Sequence, residues 1–248
     1  MATDRIRLDQ LLVDRRLYAS RARARDAIAR GEVRVTARVI DKPGQLVATD
    51  AEIAVSDPAA GYVSRSALKL KGALAAFAID VAGRRCLDIG ASTGGFTEVL
   101  LEAGASAVVA IDVGHGQLAP SIAADPRVTA IEGLNARDLV SAHLPFAPEV
   151  VVADVSFISL KLALPPALAL APSGAAGIFL VKPQFEVGRA HVGKGGIVRD
   201  VSVAEAAVDG IAAFLVASGW LVEGRIASSI AGGDGNQEYL IVARKPPA

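Results

Sequence analysis

A single cysteine, Cys86, in 248 residues excludes a disulfide framework. The three histidines, His115, His143 and His191, are too scattered for a zinc site, and no metal is expected. The opening residues Met1–Arg7 lack an apolar core, so no secretory signal is read there. Without signal or cystine, the expected location is the cytoplasm. Long apolar runs are scarce too. The twenty uncharged residues between Lys161 and Lys182 could in principle cross a bilayer, but Pro165, Pro166, Pro172, Gly174 and Gly177 interrupt them. They read as a short helix, a turn and a buried strand, Ile178–Val181. Net charge is also missing, with 26 basic and 26 acidic residues. What is present is 52% hydrophobic residues, which excludes a disordered chain and supplies a core. The length fits one large domain or two smaller ones.

Neutrality hides an asymmetry. Residues 1–42 hold eleven Arg or Lys against six acids, a balance of +5, so the remainder carries −5. A basic end on an acidic body suggests a polyanion-binding module joined to something else, although a solvated arginine-rich helix face would look the same. Leu8, Leu11 and Leu12 have helical spacing, and Ala22, Ala27 and Ile28 line a second short helix. Ser20 is placed to cap that helix at its start and Gly31 at its end. Val33, Val35 and Val39–Ile40 alternate as strands. Arg7-Leu8-Asp9, Leu12, Ser20-Arg21, Ala24, Ile28 and Gly31-x-Val33-x-Val35 resemble the S-four RNA-binding domain over about residues 5–57. Thr36-Ala37 departs from the Asn-Gly common at that turn. The resemblance implies RNA recognition by shape and backbone, with Arg5, Arg7, Arg21 and Arg23 as contacts.

The rest alternates strand and helix. Helix Ala67–Ala78 precedes strand Cys86–Ile89, helix Phe96–Ala103 and strand Ala107–Ile111. A helix near Gln117–Ala124 and strands Val128–Ile131 and Val150–Ala153 follow. Helix Leu160–Leu170, strand Ile178–Val181, helix Val203–Ser218 and strands near Leu221–Ile230 and Tyr239–Ala243 complete the reading. The alternation predicts an α/β fold, a doubly wound Rossmann-like sheet with its ligand crevice at the carboxyl ends of the strands. The expected domains are residues 1–60, small and α+β, and residues 61–248.

The first strand ends in Asp88-Ile89-Gly90-Ala91-Ser92-Thr93-Gly94-Gly95-Phe96, small residues that let a ligand approach the backbone. Asp112, about twenty residues on, ends the second strand where a ribose diol would bind. Together these favour a nucleoside cofactor. NAD is the rival, but Gly90-x-Ser92-x-Gly94-Gly95 departs from Gly-x-Gly-x-x-Gly and suits S-adenosylmethionine, which has no pyrophosphate. Asn135 and Asp138 follow the third strand, as adenine contacts or as turn residues.

The chain uses 19 arginines but only seven lysines. Lys182 directly follows an apolar strand, Asp154 ends the strand before it, Glu238 precedes the last strand, and Lys69 lies on the helix before the first. A desolvated lysine can give up its proton where an arginine cannot. Lys69, Asp154, Lys182 and Glu238 resemble the Lys-Asp-Lys-Glu tetrad of FtsJ-like RNA ribose 2′-O-methyltransferases. With the basic module, Tyr62-Val63-Ser64-Arg65, Asp154-Val155-Ser156-Phe157-Ile158-Ser159-Leu160 and Val181-Lys182-Pro183-Gln184-Phe185-Glu186, the chain resembles the TlyA family, historically called haemolysin A.

That resemblance implies methylation of cytidine riboses in ribosomal RNA of the large subunit, and in some members the small. The partner would be ribosomal RNA or ribosomal subunits, with no membrane and no obligate protein partner. Lys182 would act as general base, Asp154 and Glu238 would orient it, and Lys69 would hold the hydroxyl or the developing alkoxide. The cofactor would meet Asp88, Gly90, Ser92, Gly94, Gly95, Phe96, Asp112, Asn135 and Asp138. A pyrimidine C5 enzyme would need a nucleophilic cysteine, and Cys86 begins the first strand, away from the crevice. The competing classes are a membrane-active haemolysin, which the sequence supplies with neither a span nor a cationic amphipathic helix, and a non-catalytic ribosome-assembly factor, which has no use for the tetrad.

Overall fold

The computed structural model describes residues 4–233 and 235–247, and the chain divides after Tyr62 into two units. In the first, β1 (Arg5–Arg7) leads into α1 (Leu8–Asp14) and then α2 (Arg21–Ala29). The strands β2 (Val33–Val35), β3 (Arg38–Val39), β4 (Leu46–Ala48) and β5 (Ile53–Val55) follow. Leu8, Leu11, Leu12, Ala24, Ala27, Ile28 and Val33 form its core. The spacing read for the first helix is its buried face, whereas in the second Ala24 is buried with Ala27 and Ile28 and the expected Ala22 is exposed, since only positions three and four apart share a helix face. Ser20 accepts from the Arg23 N–H and caps α2, and Gly31 follows the helix at φ +78°. The strands fall into an antiparallel pair, β1 with β4, and a three-stranded sheet β3-β2-β5. Sequence patterning shows neither β1, β4 nor β5, each only three residues long. Thr36 and Ala37 join β2 to β3 at φ +48° and +65°, the left-handed pair that Asn-Gly adopts at less cost. The departure from Asn-Gly therefore leaves the hairpin intact.

The second unit starts with α3 (Ala67–Ala76), β6 (Arg85–Ile89), α4 (Gly95–Glu102), β7 (Ala107–Asp112), α5 (Pro120–Ala123) and β8 (Val128–Glu132). It continues with β9 (Val150–Ala153), α6 (Leu160–Ala163), α7 (Pro165–Leu170), β10 (Ala176–Val181) and α8 (Pro183–Glu186). It closes with α9 (Val201–Ala217), β11 (Leu221–Ala227) and β12 (Tyr239–Arg244). Seven strands pair in the order β11-β12-β10-β9-β6-β7-β8. All contacts are parallel except those of β12, which is antiparallel to both neighbours. The expected doubly wound sheet is present. β9 and β10 are buried along their whole length, as strands covered by helices on both faces must be.

The expected helix Leu160–Leu170 is two short helices, because Pro165 has no N–H to continue the first and starts the second instead. The uncharged stretch resolves into the end of α6, then α7 and the buried β10. Among the described residues no helix is long and apolar enough to cross a membrane. From β6 the chain winds through β7 and β8 on one side and then crosses to β9 on the other. The switch point therefore lies between the carboxyl ends of β6 and β9, where an open α/β sheet binds its ligands.

Candidate active site

At that switch point the loop after β6 turns with Gly90 at φ +81°. A Cβ on Gly90 would lie 2.6 Å from the Asp154 carbonyl oxygen, so only glycine lets the β6 and β9 ends approach this closely. Beside them opens a cavity of about 910 Å³, lined by Gly90, Ser92, Asp112, Asn135 and Asp154 and by apolar Ile89, Ile111, Leu134 and Val155. Its size and its few polar groups on apolar walls fit a nucleoside cofactor. Asp112 accepts the Ser92 N–H at 2.8 Å through one carboxylate oxygen and the Gly114 N–H at 2.7 Å through the other. It thus fixes the two loops around it while facing the cavity.

The tetrad assembles as two ion pairs. Lys69 Nζ bonds Glu238 Oε2, and both side chains are buried. Lys182 Nζ lies 2.6 Å from Asp154 Oδ1 and donates to Ser156 Oγ at 2.8 Å. The sequence gives Glu238 to Lys182; the structure gives it to Lys69, because α3 and the loop before β12 bring those two together. Removing one member of so buried a pair strands the other charge, at about 3–5 kcal/mol. A second cavity of about 500 Å³ is lined by Lys69, Lys182, Glu238, Ser64, Ser66 and Gln184. A third space of about 150 Å³, here the throat, is walled by Ser64, Ser66, Gly90, Phe96, Asp154, Ser156 and Lys182. It shares Gly90, Asp154 and Ser156 with the first cavity and Ser64, Ser66, Ser156 and Lys182 with the second. The two cavities are thereby neighbours across shared walls, with the Asp154–Lys182 pair on the wall of the throat.

Not every expected cofactor residue reaches the cavity. Asp88 is fully buried beneath it, donated to by Thr97 Oγ1 at 2.6 Å, and its Oδ1 has no hydrogen-bond partner among the described residues. Burial pushes its carboxyl up to about 7. Gly94 and Gly95 stand behind the loop, where a Cβ would meet Leu118 and Ser66 respectively. Asp138 is exposed on a 3-10 turn away from the cavity, while the Asn135 side chain caps that turn. Cys86 is buried near the start of β6, its thiol pushed up to about 12 by burial, and takes no part.

Sequence reading misses four contributors. Ser64 and Ser66 line the throat, with Ser66 Oγ donating to Ser64 Oγ at 2.9 Å. Phe157 is 91% exposed at φ +65°, its ring 5.2 Å from Phe185, and both rings line the two cavities. Asn236 is buried, accepts the Val198 N–H and donates to the Gly196 carbonyl, so it ties the glycine-rich loop to the one carrying Glu238. The Phe157 and Asn236 signals existed, an aromatic in a polar loop and an amide in a turn, but neither is distinctive without the fold.

In the first unit Arg7 and Arg21 both bind Asp9, which has no exposed surface. Arg23 donates to the Ala59 and Tyr62 carbonyls, and Arg5 to the Leu46 carbonyl. Arg16, Arg25, Arg34 and Arg38 are exposed and make no ion pair among the described residues.

Comparison with known proteins covers both units. The FtsJ-like methyltransferase model matches residues 62–245 and the S4 domain model residues 6–53. The chain is 48% identical over 241 residues to the 16S/23S rRNA (cytidine-2'-O)-methyltransferase TlyA of Mycobacterium tuberculosis, covering 97% of this chain and 90% of that one. It is 39% identical to Hemolysin A of Brachyspira hyodysenteriae, over 95% and 98% of the two chains. Among solved structures, one described as a hemolysin of Streptococcus thermophilus superposes with a TM-score of 0.78 at 39% identity, covering 99% of this chain and 90% of that one.

Proposed function

The chain belongs to the FtsJ-like methyltransferase family, and from that premise we propose that it moves a methyl group from S-adenosylmethionine to the 2′-hydroxyl of a cytidine ribose in ribosomal RNA. The carrying observation is the throat, which shares walls with both the cofactor cavity and the cavity lined by Lys69, Lys182 and Glu238, with Lys182 and Asp154 on its own wall. A membrane-active or non-catalytic protein has no use for two ion pairs on the walls of adjoining cavities.

When bound, S-adenosylmethionine supplies an electrophilic methyl. The cavity between Ile89, Ile111 and Leu134 would hold the adenosine, with Asp112 at the ribose and Asn135 near the base. Asp88, Gly94, Gly95 and Asp138 would act from behind, by shaping the loops. In the second cavity Lys182 Nζ, neutral at the moment of attack, would take the proton from the 2′-hydroxyl as the new O–C bond forms and the methyl–sulfur bond breaks, the sulfur keeping the electron pair as a neutral thioether. Such a positioned base is worth roughly 10²–10⁴ in rate. Lys69, held by Glu238, faces the same space and stabilises the developing negative charge on the ribose oxygen. The exposed Phe157 ring, beside the half-buried Phe185, offers a stacking surface for a cytosine turned out of its helix. Residues 1–60 supply affinity for RNA through Arg5, Arg7, Arg21 and Arg23, and residues 61–248 supply the chemistry. A ribosomal RNA substrate supports a cytoplasmic location, with ribosomal RNA or ribosomal subunits as the partner.

Tritium transfer to ribosomal RNA, with the modified nucleotide mapped, tests this reading. Lys182→Ala keeps cofactor and RNA binding and loses transfer. Lys182→Arg is nearly as inactive, because a permanent cation cannot accept a proton. Wild-type turnover in Lys182→Arg would overturn the base assignment.

A further inference from the structure

We propose that Ser156 is a positioning residue that aims the lone pair of Lys182 at the acceptor hydroxyl; this rests on Lys182 acting as the base. Among the described residues Ser156 is alone in lining the cofactor cavity, the throat and the acceptor cavity. Its Oγ accepts from Lys182 Nζ at 2.8 Å, and Asp154 Oδ1 lies 2.6 Å from the same nitrogen.

The stereochemistry follows from counting bonds at that nitrogen. A lysine ready to accept a proton has two N–H bonds, one bond to Cε and one lone pair. Ser156 takes one N–H as a hydrogen bond. The Asp154 carboxylate, an ion-pair contact that makes no hydrogen bond to this nitrogen among the described residues, draws the other towards it by charge, so the lone pair is left the remaining tetrahedral direction. With Ser156 removed, the amine turns about its last C–N bond among three staggered positions. Asp154 alone still attracts the amine by charge, but with no hydrogen bond to fix it the lone pair divides its time between directions. A hydroxyl also suits the place chemically. It orients the nitrogen without adding a second negative charge, which would favour the protonated, unreactive form.

The loop does not depend on this hydroxyl for its shape. Ser159 Oγ donates to Glu186 Oε2 at 2.5 Å, and the Leu160 N–H donates to Glu186 Oε1 at 2.8 Å. These bonds anchor the segment between β9 and α6 from its far end, and the Asp154 N–H donates to the Ile89 carbonyl at 3.0 Å at its near end.

The test uses the full chain with ribosomal RNA and S-adenosylmethionine. Ser156→Ala lowers kcat by about ten- to a hundred-fold, the range for a misaligned reacting group. KM for RNA and Kd for the cofactor stay at wild-type values, and the kcat–pH profile keeps its shape with a lower plateau. Ser156→Thr, which keeps the hydroxyl, restores most of kcat. A kcat for Ser156→Ala within twofold of wild type would overturn the proposal. So would a loss that follows weakened cofactor binding and that threonine does not rescue, since this marks a loop-shaping role. Lys182→Arg run in parallel separates the two levels. Activity in that variant removes the base itself, whereas its inactivity beside a fully active Ser156→Ala removes only the positioning role.

Discussion

The guanidinium of Arg21 lies 2.9 Å from the carboxylate of Asp9, a side chain with no exposed surface that also takes two 3.0 Å hydrogen bonds from Arg7. Two arginines assigned to RNA therefore also neutralise a buried acid in their own unit. The roles are compatible, because a guanidinium has five N–H donors and both arginines are about half exposed, 47% and 48%.

The double role makes stability and RNA affinity separable by choice of arginine. Arg7→Ala with Arg21→Ala leaves Asp9 buried without a cation and costs the first unit about 1–3 kcal/mol. Arg25→Ala with Arg34→Ala removes exposed, unpaired charges and leaves thermal stability unchanged. If both lie on RNA, the second pair also lowers the salt slope of RNA binding by about 0.7–0.9 per lost phosphate contact. Thermal melts and salt titrations of both double variants check this. An unchanged slope in both would reduce the basic segment to a solvated face.

Two buried carboxylates respond to pH with opposite sign. Arg7, by its hydrogen bonds, is the largest cause holding Asp9 down at about 2. An unfolded aspartate titrates at about 3.9, so the Asp9 contribution is complete above about pH 4 and lost as pH falls towards 2. Burial does the reverse to Asp88, raising it to about 7. Its folded-state penalty is absent below about pH 4 and complete above about pH 7, so it lowers stability as pH rises through that window. Asp88→Asn should gain on the wild type in melting temperature between these limits, and parallel curves would show that Asp88 does not titrate there.

Gly90 and Gly94 differ in what a side chain would strike. At Gly90 the obstacle is backbone, the Asp154 carbonyl at 2.6 Å; at Gly94 it is the tip of Leu118 at 2.9 Å. Gly90→Ala should abolish cofactor binding by calorimetry, because the β6 and β9 ends must separate. Gly94→Ala should retain weakened binding, since Leu118 and Ile122 can move although φ +96° remains strained. Equal affinities would place the cofactor elsewhere.

By itself the sequence determined the alternation of strands and helices, the glycine turn after Asp88 and the placing of Asp154, Lys182 and Glu238 at strand ends with Lys69 on the helix before the first strand of the sheet. These depend on local periodicity, on backbone conformations open to glycine and on residue types at strand ends, all of which act within a few positions of the chain. It could not show that Lys69 binds Glu238 rather than leaving Glu238 to Lys182, because that choice is made by α3 crossing to the loop before β12, 169 residues away. Nor could it separate Asn135, which lines the cavity, from Asp138, which does not, since one 3-10 turn carries both. Ser156 was read only as part of a motif. Its place beside Lys182 Nζ and on the wall of all three spaces was decided by the parallel pairing of β9 with β10, which sets two strand ends side by side and brings their loops within one hydrogen bond.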